Sequence, residues 1–255
     1  MKFCALTSGS KGNMFYVEDG TFHILIDVGV TVKKAEELLK QINVDPKSIN
    51  AILVTHEHSD HILGVPLLSK KYSIPVYTYK DNQKALLSLS EIYDHVSTFS
   101  DFPFLIGKIT VMPYRVRHDA SSCFAFSFVK GGKKLTLLTD LGCFDENVLD
   151  FAKGSDFIYL ESNHDRCMLM EGPYPPILKQ RIIGIKGHLS NDQASKFIYE
   201  VADENLRQIC LGHLSEKNND ANLVYEKIKA TIEEKNLNTE IHIALQNEPT
   251  EIFEV

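Results

Sequence analysis

No stretch of the chain approaches the ~20 continuous apolar residues of a membrane-spanning helix, so no membrane insertion is expected. The opening run, Met1-Lys2-Phe3-Cys4-Ala5-Leu6-Thr7, is short and strand-like and leads into a Gly/Ser loop. It has neither the long apolar region nor the cleavage site of a secretory signal. Cysteines are few, odd in number and never spaced Cys-x-x-Cys: Cys4, Cys123, Cys143, Cys167 and Cys210. That usage disfavours a disulfide framework and points to reduced thiols in a cytoplasmic protein. Positive net charge is also missing. A formal charge of −7, read alone, argues against a nucleic-acid partner. A local field can outweigh net charge, however, so the sign of the whole chain does not decide the matter. Linkers and low-complexity segments are absent as well, and 255 residues suffice for one large core.

What is present is concentrated in Thr55-His56-Glu57-His58-Ser59-Asp60-His61, which ends the apolar run Ala51-Ile52-Leu53-Val54. Imidazole is the commonest transition-metal ligand, and a neighbouring carboxylate supplies a hard oxygen. His56 and His58 are two apart, so an extended chain points them to one side. Asp60 and His61 follow where the chain turns into the helical-looking Ile62-Leu63-Gly64-Val65-Pro66-Leu67-Leu68. Two divergent ligand pairs result, one from the strand end and one from the helix start. That spacing suits two metal ions held close together. The competing explanation, a polar loop rich in histidine by chance, gives no reason for a buried strand to end this way.

Around this motif, strands alternate with helices. Phe15-Tyr16-Val17 and Phe22-His23-Ile24-Leu25-Ile26-Asp27 read as strands joined by the turn Glu18-Asp19-Gly20-Thr21. Val32 to Ile42 has helical spacing, with Ala35, Leu38, Leu39 and Ile42 on one face. Pro75 to Tyr79 reads as a strand. Residues 104–140 read as a long β stretch with a hairpin turn at Val129-Lys130-Gly131-Gly132-Lys133. Phe157-Ile158-Tyr159-Leu160 is a buried strand ending in Glu161, and Asp192 to Ala202 and Ala221 to Lys235 are amphipathic helices. Two closing strands are expected at 240–245 and 251–255. One tetrapeptide echoes: Gly187-His188-Leu189-Ser190 and Gly212-His213-Leu214-Ser215, each ahead of a helix. Helix starts present free N–H groups that suit phosphate oxygens. Ser190, Asn191 and Ser215 are therefore candidate substrate contacts, with plain capping as the alternative.

His-x-His-x-Asp-His after an apolar strand resembles the signature of the metallo-β-lactamase superfamily. Counterparts of its remaining ligands follow in order: His118 after Val116-Arg117, Asp140 in Leu138-Thr139-Asp140-Leu141-Gly142, and His213 in Cys210-Leu211-Gly212-His213. The resemblance runs from Met1 to about His213 and implies the α/β, four-layer αββα sandwich of that fold. Because candidate ligands from His56 to His213 must converge, a single domain over residues 1–255 is expected. One ion is implied on His56, His58 and His118, a second on Asp60, His61 and His213, with Asp140 bridging. Nitrogen and carboxylate ligands without thiolate fit Zn²⁺ or Mn²⁺, with Fe a further option. Two such ions, about 3.5–4 Å apart, share a hydroxide and aim it at an electrophile. Asp27 resembles the family's buried aspartate that braces the ligand loop.

Further motifs, Ser8-Gly9-Ser10-Lys11-Gly12-Asn13, Glu161-Ser162-Asn163-His164-Asp165, Gly172-Pro173-Tyr174-Pro175 and Leu178-Lys179-Gln180-Arg181-Ile182, resemble the YycJ/WalJ family of Gram-positive bacteria. That resemblance implies a cytosolic exonuclease that works on DNA from the 5′ end, in a family associated with cell-wall two-component signalling. His118 to Asp140 leaves room only for a hairpin where RNase Z carries its tRNA-gripping arm. Asp140 to His213 is too short for the extra domain of RNase J, and His58 stands where flavodiiron proteins have glutamate.

In related nuclease branches a histidine ahead of the last ligand sits over the metals without binding them. His188 is its counterpart here and the candidate proton donor to the leaving oxygen. Glu161 is the candidate partner that fixes its tautomer and raises its pKa, with an ordinary strand-end carboxylate as the alternative. Asp60 completes the catalytic candidates, doubling as a ligand. His164 stays open between phosphate contact, support of the ligands and a loop role. Lys11, Lys179 and Arg181 are the basic residues nearest the metals by motif adjacency, and Lys11 is counted among the substrate contacts. Two other functions are open: hydrolysis of a small ester, thioester or lactam on the same metals, and a non-catalytic binding module. In the first a leaving group such as thiolate needs little protonation, and the second has no use for all seven ligands.

Overall fold

Strands that are apolar on both sides need cover on both faces. The computed structural model describes residues 1–89 and 95–255 and supplies that cover with two sheets and flanking helices. In the first sheet β1 (Lys2–Thr7), β2 (Met14–Glu18), β3 (His23–Ile26), β4 (Ile49–Leu53), β5 (Val76–Tyr79) and β6 (Val96–Phe99) lie side by side in chain order. The second runs likewise through β7 (Phe104–Ile106), β8 (Ile109–Val116), β9 (Cys123–Lys130), β10 (Lys133–Leu138), β11 (Phe157–Glu161), β12 (Gln208–Gly212) and β13 (Glu240–Ile243). β14 (Phe253–Glu254) returns to the first sheet, antiparallel to β1. Each sheet opens as an antiparallel meander and continues, from β3 and from β10, with parallel strands.

α1 (Val32–Gln41), α2 (Ser59–Ile62), α3 (Val65–Tyr72) and α4 (Lys80–Leu89) belong to the first half. α5 (Glu146–Ala152), α6 (Arg166–Glu171), α7 (Pro176–Ile183), α8 (Asn191–Val201) and α9 (Ala221–Glu234) belong to the second. Alternation along each strand sorts the side chains. Phe3, Phe15 and Val17 face the other sheet and meet Phe124, Phe126, Phe157 and Tyr159 in a shared core. Cys4, Leu6 and Tyr16 face outward onto Leu38 and Leu39 of α1 and Leu68 of α3. On the far side Ile158, Leu160 and Leu211 pack on Phe197 of α8 and Ile228 of α9. The layer order is the αββα sandwich. Aromatic pairs bridge the sheets, Phe3–Phe157 at 4.9 Å and Phe15–Tyr159 edge-on at 4.7 Å. Each contributes about 0.5–1.5 kcal/mol beyond its buried area.

Three local outcomes refine the sequence reading. Gly131 and Gly132 both have positive φ (60° and 80°) and make the two-residue turn between β9 and β10. The helix after the ligand motif is broken into α2 and α3, because its backbone groups are spent elsewhere. Asp60 O accepts from Asn13 N, and Gly64 N donates to Val28 O. The two tail strands close different sheets: β13 pairs with β12, and β14 with β1. No helix among the described residues is long and apolar enough to cross a membrane.

The turn after β3 lies directly against α2. Val28 N donates to His61 O, Gly29 N donates to Asn13 O, and a Cβ added at Gly29 would fall 1.6 Å from Asp60 O. Gly29→Ala is therefore expected to push the Asp60–His61 turn away and to cost about 1–3 kcal/mol, the range for overpacking. Urea denaturation of the two proteins measures this; identical midpoints would refute the close approach.

Candidate metal centre

Open α/β sheets bind ligands beyond the carboxyl ends of their parallel strands. Here β4 leads to Thr55, His56 and His58, and α2 carries Asp60 and His61. β8 leads to His118, β10 to Asp140 and β12 to His213, while β11 ends in Glu161. Asp27, Asp140 and His213 have φ of 58°, 55° and 55°. The other non-glycine residues with positive φ among the described residues, Asn43, Ser73 and Asn236, follow helices, where that conformation is ordinary. At strand ends it costs about 1–3 kcal/mol per residue, strain of the kind that gathers at functional sites.

The side chains converge. Asp140 Oδ1 is 3.6 Å from His118 Nε2, and its Oδ2 is 3.1 Å from His61 Nε2 and 3.3 Å from His213 Nδ1. One carboxylate thus turns a different oxygen to each half of the cluster. Ligand-type atoms of His56, His58 and His118 lie within 4.8 Å of one another, and so do those of His56, His61 and Asp140. Asp60 Oδ2 stands 3.6 Å from His61 Nε2.

The donors fit a divalent ion. His56 Nε2 is buried without a hydrogen-bond partner, which costs about 1–3 kcal/mol unless something binds it. The Nδ1 atoms are occupied: His56 by Thr55 Oγ1 at 3.0 Å, His61 by Asp27 Oδ2 at 2.7 Å, His118 by Gly187 O at 3.1 Å. Each Nε2 is thereby turned to the centre, the usual orientation of a ligating imidazole. Fully buried Asp27 also accepts from Thr55 N at 2.8 Å and Thr55 Oγ1 at 2.7 Å. Burial, followed by the neighbouring His61, holds His56 well below the usual imidazole range and so neutral. Burial opposes ionisation of Asp140, but His213 and His61 outweigh it and hold the carboxyl well below the usual range.

His188 stands beside this cluster with Nδ1 3.0 Å from Glu161 Oε2. Glu161 is fully buried, and its Oε1 accepts from Leu141 N at 2.7 Å and Leu189 N at 3.0 Å. Burial opposes charge on His188, yet Glu161 and then Asp140 outweigh it and push the imidazole up to about 9. His188 also comes within 4.8 Å of His118 and Asp140.

A cleft of about 330 Å³ opens over these groups, walled by Ser10, Asn163, Tyr174, Leu178, Arg181 and Ser215 among others. Of the expected substrate contacts only Ser215 lines it. Ser190 is spent on a capping box with Gln193 at the start of α8. Asn191 is buried, its Oδ1 accepting from Ser162 Oγ at 2.8 Å. His164 is buried outside the cleft wall; its C=O accepts from Asn191 N, and burial lowers its pKa to about 4. Lys11 pairs with Glu216, and Lys179 donates to Met170 O. Arg181 is the one lysine or arginine among the described residues that lines the cleft. Three neighbours of the cluster went unread in the sequence. Asp119 Oδ1 is 3.3 Å from His118 Nε2, Asn163 Nδ2 donates to His213 O, and Asn13 Nδ2 is 3.0 Å from His61 Nε2. Adjacency to His118 was the signal available for Asp119.

The family model described as Metallo-beta-lactamase superfamily matches residues 8–147. Exodeoxyribonuclease YycJ of Bacillus anthracis is 35% identical over 99% of this chain and 98% of its own length. Exodeoxyribonuclease WalJ of Streptococcus pneumoniae is 37% identical over 86% of this chain and 83% of its own. The metallo-β-lactamase fold protein YhfI from Bacillus subtilis superposes with a TM-score of 0.75 at 16% identity, over 98% of this chain and 99% of its own, a likeness of fold alone. With its ligand cluster at the strand ends and these relatives along its length, the chain is a metal-dependent hydrolase that belongs to the metallo-β-lactamase superfamily and, within it, to the YycJ/WalJ family.

Proposed function

We propose that this hydrolase is a phosphodiesterase dependent on two metal ions, acting in the cytoplasm as an exonuclease that degrades DNA from the 5′ end. The His188–Glu161 pair carries the reading. Cleaving a phosphodiester expels a poor leaving group, an alkoxide, that needs a proton as it departs. An imidazole hydrogen-bonded beside the cluster to a buried carboxylate is built to supply one. Both relatives named above are called exodeoxyribonucleases, which supports DNA as substrate. The 5′ polarity rests on the family resemblance.

In this reading His56, His58 and His118 would hold one ion and Asp60, His61 and His213 the other, with Asp140 shared between them. Zn²⁺ or Mn²⁺ there, with Fe a further option, would activate water at neutral pH and neutralise phosphate oxygens. The protein's own groups do the rest. Asp27 holds His61 directly and His56 through Thr55, so the ligand loop keeps one orientation. His188 donates from Nε2 to the departing sugar oxygen, while Glu161 accepts from Nδ1–H and steadies the ring. The N–H groups of Leu141 and Leu189 fix Glu161 in turn.

Two experiments test this. Asp140→Ala is expected to strip at least one ion, because its two oxygens face both halves of the cluster. Elemental analysis of metal-replete protein reads the outcome, and unchanged stoichiometry would count against the bridging role. His188→Ala is expected to keep its metal yet slow DNA cleavage ~10²–10⁴-fold, the range for a lost acid or base. A p-nitrophenyl phosphodiester, whose leaving oxygen needs no proton, should be much less affected, and Glu161→Gln should show a milder form of the same selectivity. Equal slowing of both substrates, or loss of an ion, would remove His188 from the proton-donor role.

A further inference from the structure

α7 presents Leu178, Arg181 and Ile182 to the cleft, the i, i+3, i+4 spacing of one helical face. None of its residues is buried, so the core does not explain this face. The guanidinium is held by one contact. Arg181 Nε donates to Asp119 Oδ2, its only hydrogen bond among the described residues, and its side chain is 60% exposed. The other oxygen of Asp119 is turned to the metal cluster, 3.3 Å from His118 Nε2 and 3.9 Å from His58 Nε2. An exposed ion pair contributes about 0–1 kcal/mol to stability, too little to account for a carboxylate placed between an arginine and two candidate ligands.

The geometry is that of an aimed fork. A carboxylate on Nε leaves Nη1 and Nη2 free, and that edge of a guanidinium binds phosphate in a bidentate manner. We propose that Arg181, oriented by Asp119, binds a second phosphate of the substrate, one nucleotide along from the diester being cleaved. Leu178 and Ile182 take the sugar or base between the two phosphates. The Asp119 carboxylate stands between the guanidinium and the imidazoles, which favours the neighbouring phosphate over the diester being cleaved. Asp119 is a positioning residue and touches no substrate. The inference rests on the nuclease reading and deepens it, since an ester or lactam carries no second phosphate.

The test compares the holoenzyme on a DNA oligonucleotide and on thymidine 5′-(p-nitrophenyl phosphate), which has a single phosphate. Arg181→Lys keeps the charge but loses the fork, and Asp119→Ala releases it. Each should raise KM for the oligonucleotide about tenfold with kcat nearly unchanged, the signature of lost uniform binding. KM for the single-phosphate substrate and metal content should not move. Asp119→Asn, whose amide oxygen still accepts from Nε, should restore most of the affinity. The double variant should be no worse than either single one, because the two residues act as a unit. Equal effects on both substrates, loss of metal in Asp119→Ala, or variants that match the parent on DNA would overturn the proposal. A parent protein that hydrolyses the single-phosphate diester but leaves DNA intact would instead overturn the nuclease reading itself.

Discussion

A carboxylate with no access to water organises this site. Asp27 is fully buried, and burying an unpaired charge is prohibitive, so its bonds are obligatory. It meets that demand with the N–H and hydroxyl of Thr55 and the imidazole of His61. Those bonds tie the end of β3 to the segment after β4 and to α2. His56 is held in the same chain, through the Thr55 hydroxyl. The orientation of His56 and His61 follows from satisfying one buried anion.

The second sheet repeats the device with a different outcome. Asp140 follows β10 as Asp27 follows β3, each strand being where its sheet turns from antiparallel to parallel. Both aspartates have left-handed backbone, and both lead into an apolar residue and a glycine, Val28-Gly29 and Leu141-Gly142. Both glycines are pressed on backbone, Gly29 on Asp60 O and Gly142 on Ile185 O. Asp27 is closed over by its own loop, whereas Asp140 lies at the floor of the cleft among imidazoles. One turn thus serves as brace in one sheet and as the proposed bridging anion in the other.

The convergence of these histidines and aspartates was legible because such residues are rare, and their spacing meaningful, at the end of an apolar run. Strands such as β2 and β11 were legible because both faces are buried, whereas the half-exposed β6 was not. α7 was not, since it follows Gly172-Pro173-Tyr174-Pro175 and buries nothing, so no apolar period marks it. Ser190 was expected to contact substrate, but it caps α8, and capping withdraws its hydroxyl from the cleft. Lys11 and Lys179 stand near site motifs in the chain, but adjacency does not fix where a side chain points, and both point to other partners. Glu161 could be placed at a strand end from sequence, whereas its burial depends on Leu141 and Leu189 arriving from two other segments.

The proposed ligands come from both sheets: His56, His58, Asp60 and His61 from the first, His118, Asp140 and His213 from the second. Neither sheet alone can assemble the set, so ions bound as proposed would act as rivets across the rim of the shared aromatic core. Anything that binds only the folded form stabilises it by RT ln(1 + [L]/Kd), about 2.7 kcal/mol at a hundredfold excess over Kd. The concentration of free metal in the surroundings thereby becomes part of what keeps the two sheets together, and starvation for it would loosen the sandwich from the rim inward.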